Sequence, residues 1–175
     1  MRGMPQRVDL FDLETLHLRP GDGHRLDAHV RLEPLQLAGQ KYPVAGGDVD
    51  ARIDVSRTLG GYVLRLRFDA PLEGPCMRCM GEAAPVITVD AREVDQPGEG
   101  EDLHSPYLDQ GVLDLSAWGR DALVLAMPAQ IICGEECRGL CPECGQNLNE
   151  VDPEEHRHES AGDPRWAKLR DLKLG

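Results

Sequence analysis

The residues of this 175-residue chain whose type and spacing most directly suggest chemistry are its six cysteines. Four fall within twelve residues, in Cys133-Gly-Glu-Glu-Cys137-Arg-Gly-Leu-Cys141-Pro-Glu-Cys144-Gly-Gln-Asn-Leu-Asn149, spaced C-x3-C-x3-C-x2-C. The other two form Cys76-Met-Arg-Cys79. Zinc takes thiolate ligands in a tetrahedron, and a gap of two to four residues lets one tight turn offer two sulfurs to one ion. Pro142 fixes φ between Cys141 and Cys144, and Gly145 can take the positive φ that curls the backbone toward a metal. The spacing predicts a structural zinc site, with Cys76, Cys79, Cys133, Cys137, Cys141 and Cys144 as candidate ligands.

Six thiols exceed one tetrahedral ion and fall short of two sites of four cysteines each. In one arrangement Cys133, Cys137, Cys141 and Cys144 close a local site and leave Cys76 and Cys79 as a free dithiol. In the other, Cys76 and Cys79 join one of the two downstream pairs in a two-knuckle ribbon. The ribbon closes a loop of about fifty residues, which restricts the unfolded chain more, and spacing alone does not choose its second pair. His156 and His158 could also ligate, but the thiols already oversupply ligands, so a solvated polar loop is the expected reading.

Other chemistries find less support. A redox Cys-x2-Cys pair needs a lowered thiol pKa, usually at a helix N-terminus, whereas Cys76 follows Pro75 and no helical run succeeds Cys79. The chain has no G-x-S-x-G, H-E-x-x-H or P-loop. Glu135-Glu136 and Glu154-Glu155 are sequence neighbours on polar stretches, a pattern of solvated surface. An all-sulfur zinc shell would leave no open position for water, so no enzymatic activity is expected.

The formal net charge of −12 argues against broad attraction to phosphate or to an anionic membrane. Residues 1–18 carry five charged residues and no apolar run, and no stretch reaches the ~18 apolar residues of a membrane span. A cytoplasmic location is expected, where clustered thiols bind metal more often than they form disulfides.

The elements that must hold the thiols read as an α+β fold: an antiparallel sheet, two short helices and a cysteine-rich zinc-binding loop. Leu26, Ala28, Val30 and Leu32 alternate with polar residues, as do Val49, Ala51, Ile53 and Val55, with the period of half-buried strands. After a Gly60-Gly61 turn, Tyr62, Leu64, Leu66 and Phe68 continue the pattern and predict a hairpin. Val86-Ile-Thr-Val89 predicts a further short strand, placing Cys76 and Cys79 between strands. Residues 95–111 read as an acidic loop. Val112-Leu-Asp-Leu115 predicts a strand, and Asp114 or Ser116 a cap for a helix carrying Trp118, Ala122, Leu123 and Leu125 that Pro128 stops.

A single domain over 1–175 is expected, β-rich across 20–95, with the helix and cysteine loop in 112–149 and a linker and terminal helix in 150–175. Asp163-Pro164 is a helix-start signal, followed by Trp166, Leu169 and Leu172 on one side. Arg165, Lys168, Arg170 and Lys173 make this tail locally basic. Together with Arg65, Arg67, Arg78 and Arg138 they are the candidate contacts to RNA or a partner.

On these residues the chain resembles the YceD family, the bacterial large ribosomal RNA subunit accumulation proteins. The matching pieces are Cys76-Met-Arg-Cys79, Leu113-Asp-Leu115, Leu125-Ala-Met-Pro128, the run Cys137 to Asn149, and Asp163-Pro-Arg-Trp-Ala-Lys-Leu169. The resemblance covers nearly the whole chain and is weakest before Leu26. It implies a cytoplasmic, non-catalytic factor for accumulation of large-subunit (23S) ribosomal RNA, in 50S assembly or rRNA stability. Its expected partner is large-subunit rRNA or a basic ribosomal protein, with no membrane and no small-molecule substrate. The alternatives are a zinc-ribbon protein-interaction adapter without direct RNA contact, or a thiol redox module.

Overall fold

The computed structural model describes residues 8–96, 98, 103–152, 154 and 156–158. Period-2 alternation produces a four-stranded antiparallel sheet, ordered β2 (Gly23–Arg31), β5 (Asp48–Arg57), β6 (Tyr62–Pro71), β9 (Val86–Asp95). The expected hairpin is β5–β6, with Ile53 opposite Leu66 and Val55 opposite Leu64. Gly61 closes its turn because a Cβ there would lie 1.8 Å from the Asp95 carbonyl oxygen. Strand β9 runs ten residues where Val86 to Val89 alone was expected. Its second half, Asp90-Ala-Arg-Glu-Val, offers little apolar side chain, and the β6 backbone extends it by pairing Tyr62 with Asp95.

One face of the sheet is apolar: Ala28, Val30, Val49, Ala51, Ile53, Val55, Leu64, Leu66, Phe68, Ala70, Ile87 and Val89 are all buried. Helix α1 (Leu115–Ala126) covers it with Leu115, Trp118, Gly119, Ala122 and Leu123. Gly119 permits the close approach, since a Cβ would meet Leu32 Cδ2 at 3.1 Å. Asp114 is the N-cap, its carboxylate accepting from the Ala117 amide at 2.9 Å. The helix ends at Ala126, and Met127 is extended, as a residue before proline must be.

Short strands fasten the margins. β1 (Leu10–Asp12) pairs with β11 (Val112–Asp114), which pairs with β10 (Leu108–Asp109), and a 3-10 turn follows at Leu13–Leu16. β3 (Leu35–Leu37) and β4 (Gln40–Tyr42) form a small hairpin, as do β7 (Gly74–Pro75) and β8 (Glu82–Ala83). The described residues are thus mostly β, with one α-helix. The second expected helix, from Asp163 onward, lies outside them, as do residues 97 and 99–102 of the expected acidic loop. The rest of that loop is partly paired, with Gln96 bridged to Leu103 and Leu108–Asp109 in β10.

The other sheet face is a lattice of opposite charges. Arg65 donates to Asp90 at 2.7 and 2.5 Å, Arg52 to Asp27 at 3.0 Å, and Arg25 to Asp54 at 2.5 Å. Arg67 closes on the other oxygen of Asp54. The Arg25 guanidinium, with that of Arg67, holds the Asp54 carboxyl below the usual range against the opposing effect of burial. Arg65 does the same for Asp90.

Candidate metal centres

Cys76 and Cys79 sit at the tip of the β7–β8 hairpin. The turn is closed by the Cys76 amide donating to the Gly81 carbonyl at 2.6 Å and the Met80 amide to the Cys76 carbonyl at 3.0 Å. Tyr42 fixes it from below: fully buried, its hydroxyl donates to the Pro75 carbonyl at 2.9 Å. The ring leaves no room for a side chain at position 74, where a Cβ would lie 2.3 Å from Tyr42 Cδ1. Gly74→Ala is therefore expected to cost about 1–3 kcal/mol, the usual range for overpacking, and to weaken metal retention. Chemical denaturation and metal analysis check this, and unchanged stability would contradict the clamp.

After α1, the chain returns to this turn. The Met77 amide donates to the Ile131 carbonyl at 2.8 Å, and the Ile131 amide faces Met77 Sδ at 3.4 Å. That registration delivers Cys133 and Cys137 to the hairpin tip. Cys76 Sγ lies 3.7 Å from Cys137 Sγ, and Cys79 Sγ lies 3.7 Å from Cys133 Sγ. All four sulfurs lie within 4.8 Å of one another. Zn–S bonds of about 2.3 Å in a tetrahedron place sulfurs about 3.8 Å apart, so the cage fits an ion of that size. Cys76, Cys79 and Cys137 are buried and Cys133 is exposed.

The backbone favours the thiolate at Cys76 and Cys137, whereas the thiol pKa values of Cys79 and Cys133 are raised. Burial raises the pKa of the Cys76 thiol, but amide hydrogen bonds from Cys79, Arg78 and Cys133 outweigh it and bring the pKa down to about 6. At Cys137 burial is likewise overcome, by the Gly139 amide and the Asn149 side chain. The Cys133 thiol, facing Cys137 and Cys79, is pushed up to about 12. Four thiols this close cannot all ionise against one another, and a divalent cation among them would remove that opposition.

The remaining thiols gather elsewhere. Cys141, Cys144, His156 and His158 bring their ligand atoms within 4.8 Å of one another. Among the described residues the six cysteines therefore divide four and two, with histidines completing the second group. Cys76 and Cys79 lie with Cys133 and Cys137, the grouping that a two-knuckle ribbon using this downstream pair would require. The local arrangement of Cys133, Cys137, Cys141 and Cys144 is not the one adopted. His156 and His158, expected to be solvated loop, face the Cys141 and Cys144 thiols instead.

Asn149 supports the four-thiol group. Its Nδ2 lies 3.6 Å from Cys137 Sγ, its Oδ1 accepts from the Arg138 amide at 2.8 Å, and its own amide donates to Asn147 Oδ1 at 3.1 Å. Leu140 donates to the Arg78 carbonyl at 3.1 Å, and a Cβ on Gly139 would meet that same oxygen at 3.2 Å. The Gln-Asn-Leu-Asn run thus orients ligands. Asn147, Asn149 and Tyr42 escaped sequence reasoning because their roles exist only once the two segments meet.

The expected cationic contacts are distributed differently. Arg65 and Arg67 are spent on sheet carboxylates. Arg138 donates from its side chain to the Val151 carbonyl at 3.1 Å. Arg78 is exposed beside the cage, its amide 3.4 Å from Cys76 Sγ. Arg165, Lys168, Arg170 and Lys173 lie outside the described residues.

Among known proteins, the family model described as "Large ribosomal RNA subunit accumulation protein YceD" matches residues 64–173, a span holding every ligand candidate. An uncharacterized protein of Mycobacterium tuberculosis is 31% identical over 173 residues, covering 92% of this chain and 79% of its own. One of Mycobacterium leprae is 32% identical over 172 residues, covering 93% and 76%. A maize protein named as chloroplastic YCED homolog 1, a large ribosomal RNA subunit accumulation protein, is 29% identical over 180 residues, covering 78% and 59%. No solved structure matches the chain.

Proposed function

The chain belongs to the YceD family, and from that premise we propose that it supports accumulation of 23S ribosomal RNA during 50S assembly as a non-enzymatic scaffold braced by zinc. The observation that carries this reading is the cage of Cys76, Cys79, Cys133 and Cys137, whose 3.7 Å sulfur contacts match tetrahedral thiolate coordination. Four protein donors fill such a shell and leave no position for a reacting water, so the ion would hold structure and not perform chemistry. It would join the β7–β8 tip to the segment after α1, fixing the surface that carries Arg78 and Arg138.

The contact is more consistent with a basic ribosomal protein than with extended rRNA. Phosphate binding needs clustered cations. The net charge is −12, and Arg65 and Arg67 are already paired with carboxylates. No helix of the described residues is long and apolar enough to cross a membrane. The test is affinity purification of the tagged full chain from cells, with and without RNase. Large-subunit protein retained after RNase is the expected result. RNase-sensitive recovery would move the contact to rRNA, and recovery of neither would contradict the assembly role.

A further inference from the structure

We propose that Cys141, Cys144, His156 and His158 form a second metal centre, a mixed sulfur and nitrogen site for a zinc-class divalent ion that loads and empties separately from the four-thiolate cage. The inference goes beyond the functional reading above and does not need the cage to be filled.

The turn Cys141-Pro-Glu-Cys144-Gly is shaped as a ligand-presenting knuckle. The Cys141 amide donates to the Gln146 carbonyl at 2.8 Å, and the Gly145 amide donates back to the Cys141 carbonyl at 2.8 Å. Gly145 takes φ 74°, in the left-handed region that a side chain would oppose. Both cysteines therefore point to one side, and amides of Cys144 and Glu143 direct hydrogen bonds at the Cys141 sulfur.

The histidines arrive from a separate turn. Asp152 caps it, its side chain accepting from the Glu154 amide at 2.8 Å and its carbonyl from the His156 amide at 2.9 Å. His158 Nε2 then lies 3.2 Å from Cys141 Sγ, and His156 Nε2 lies 3.7 Å from Cys144 Sγ. The two Nε2 atoms are 3.0 Å apart. Zn–S and Zn–N lengths of about 2.3 and 2.05 Å imply tetrahedral S···N and N···N edges of about 3.6 and 3.3 Å. The observed edges bracket or approach these.

Two further details fit an ion at this site. Neutral imidazoles that turn the same ring nitrogen toward each other repel unless a cation or a proton lies between them. On its far side, His158 Nδ1 lies 3.5 Å from Glu143 Oε2. A carboxylate behind a histidine in this way fixes the tautomer that leaves Nε2 free to ligate. Glu143 belongs to the same knuckle as the two cysteines, so one short loop supplies two ligands and orients a third.

The two centres differ in accessibility and charge. The cage buries three of its four cysteines, whereas Cys144 and His158 are exposed. Two thiolates and two neutral imidazoles balance a divalent ion, while four thiolates leave a net negative charge that buried amides must offset. A chelator should reach the mixed site first.

The experiment is zinc titration of the full reduced chain, read by native mass spectrometry, with cobalt substitution read by absorption. Wild type is expected to bind two ions and release one of them faster to a chelator. His156→Gln/His158→Gln should bind one ion, lose the sulfur–nitrogen cobalt spectrum and keep the all-sulfur one. Cys76→Ser/Cys79→Ser should do the reverse, so a failure of the cage and a failure of the mixed site are read separately. Cys144→Ser gives a second variant should the histidine pair misfold. A histidine double variant that still binds two ions, or a wild type that binds one ion held by the cage, would overturn the proposal.

Discussion

Cys76→Ser is expected to empty the four-thiolate cage and to lower the melting temperature by roughly 8–16 °C, as a loss of about 4 kcal/mol does in a chain of this length. Cys76 is fully buried, and its sulfur collects amide hydrogen bonds as well as facing Cys137. A serine oxygen is a poor zinc ligand with shorter reach. It would leave three thiolates crowded together and the Arg78 and Cys79 amides without their sulfur acceptor. Metal binding in isolated zinc fingers contributes about 10–16 kcal/mol. Only a fraction should appear here, because the sheet and α1 form a core of their own. Zinc analysis with thermal melting checks the result. Full zinc with unchanged melting would remove Cys76 from the cage.

Trp118→Ala should cost about 3–5 kcal/mol, the range for losing a buried aromatic, while leaving the cage able to bind metal. Trp118 is 2% exposed, between α1 and the apolar sheet face, with its ring stacked on Tyr107 at a centroid distance of 6.3 Å. Gly119 holds the helix close, so the surroundings cannot collapse readily into the void. The cage depends on other contacts: Tyr42 under Pro75, and Met77 against Ile131. A urea midpoint that falls at constant slope, with zinc content maintained, is the expected outcome. A loss under about 1 kcal/mol would mean that the helix does not anchor the sheet.

The main strands were legible because a sheet with one wet face imposes period 2, and β5 and β6 carry it without interruption. Cap and stop signals located α1 for a similar reason: Asp114 and Pro128 act locally. Three-residue strands such as β1, β3 and β4 are too short to display a period, and their pairing is a consequence of where the core places them. Charge was the least legible property. Arg65 and Arg67 read as candidate RNA or partner contacts, yet they pair diagonally with Asp90 and Asp54 on the two flanking strands, an arrangement that only strand pairing reveals. The thiol count posed the right question, six sulfurs for tetrahedral sites. The structure gathers His156 and His158 beside Cys141 and Cys144, although their spacing in sequence is that of a polar loop.

The most direct measurement is the zinc content of the chain purified reduced and without chelators, paired with its melting curve before and after metal removal. Stoichiometric zinc, and a lower melting temperature once it is stripped, is the predicted result. A metal-free chain that melts at the same temperature with and without added zinc would contradict the account.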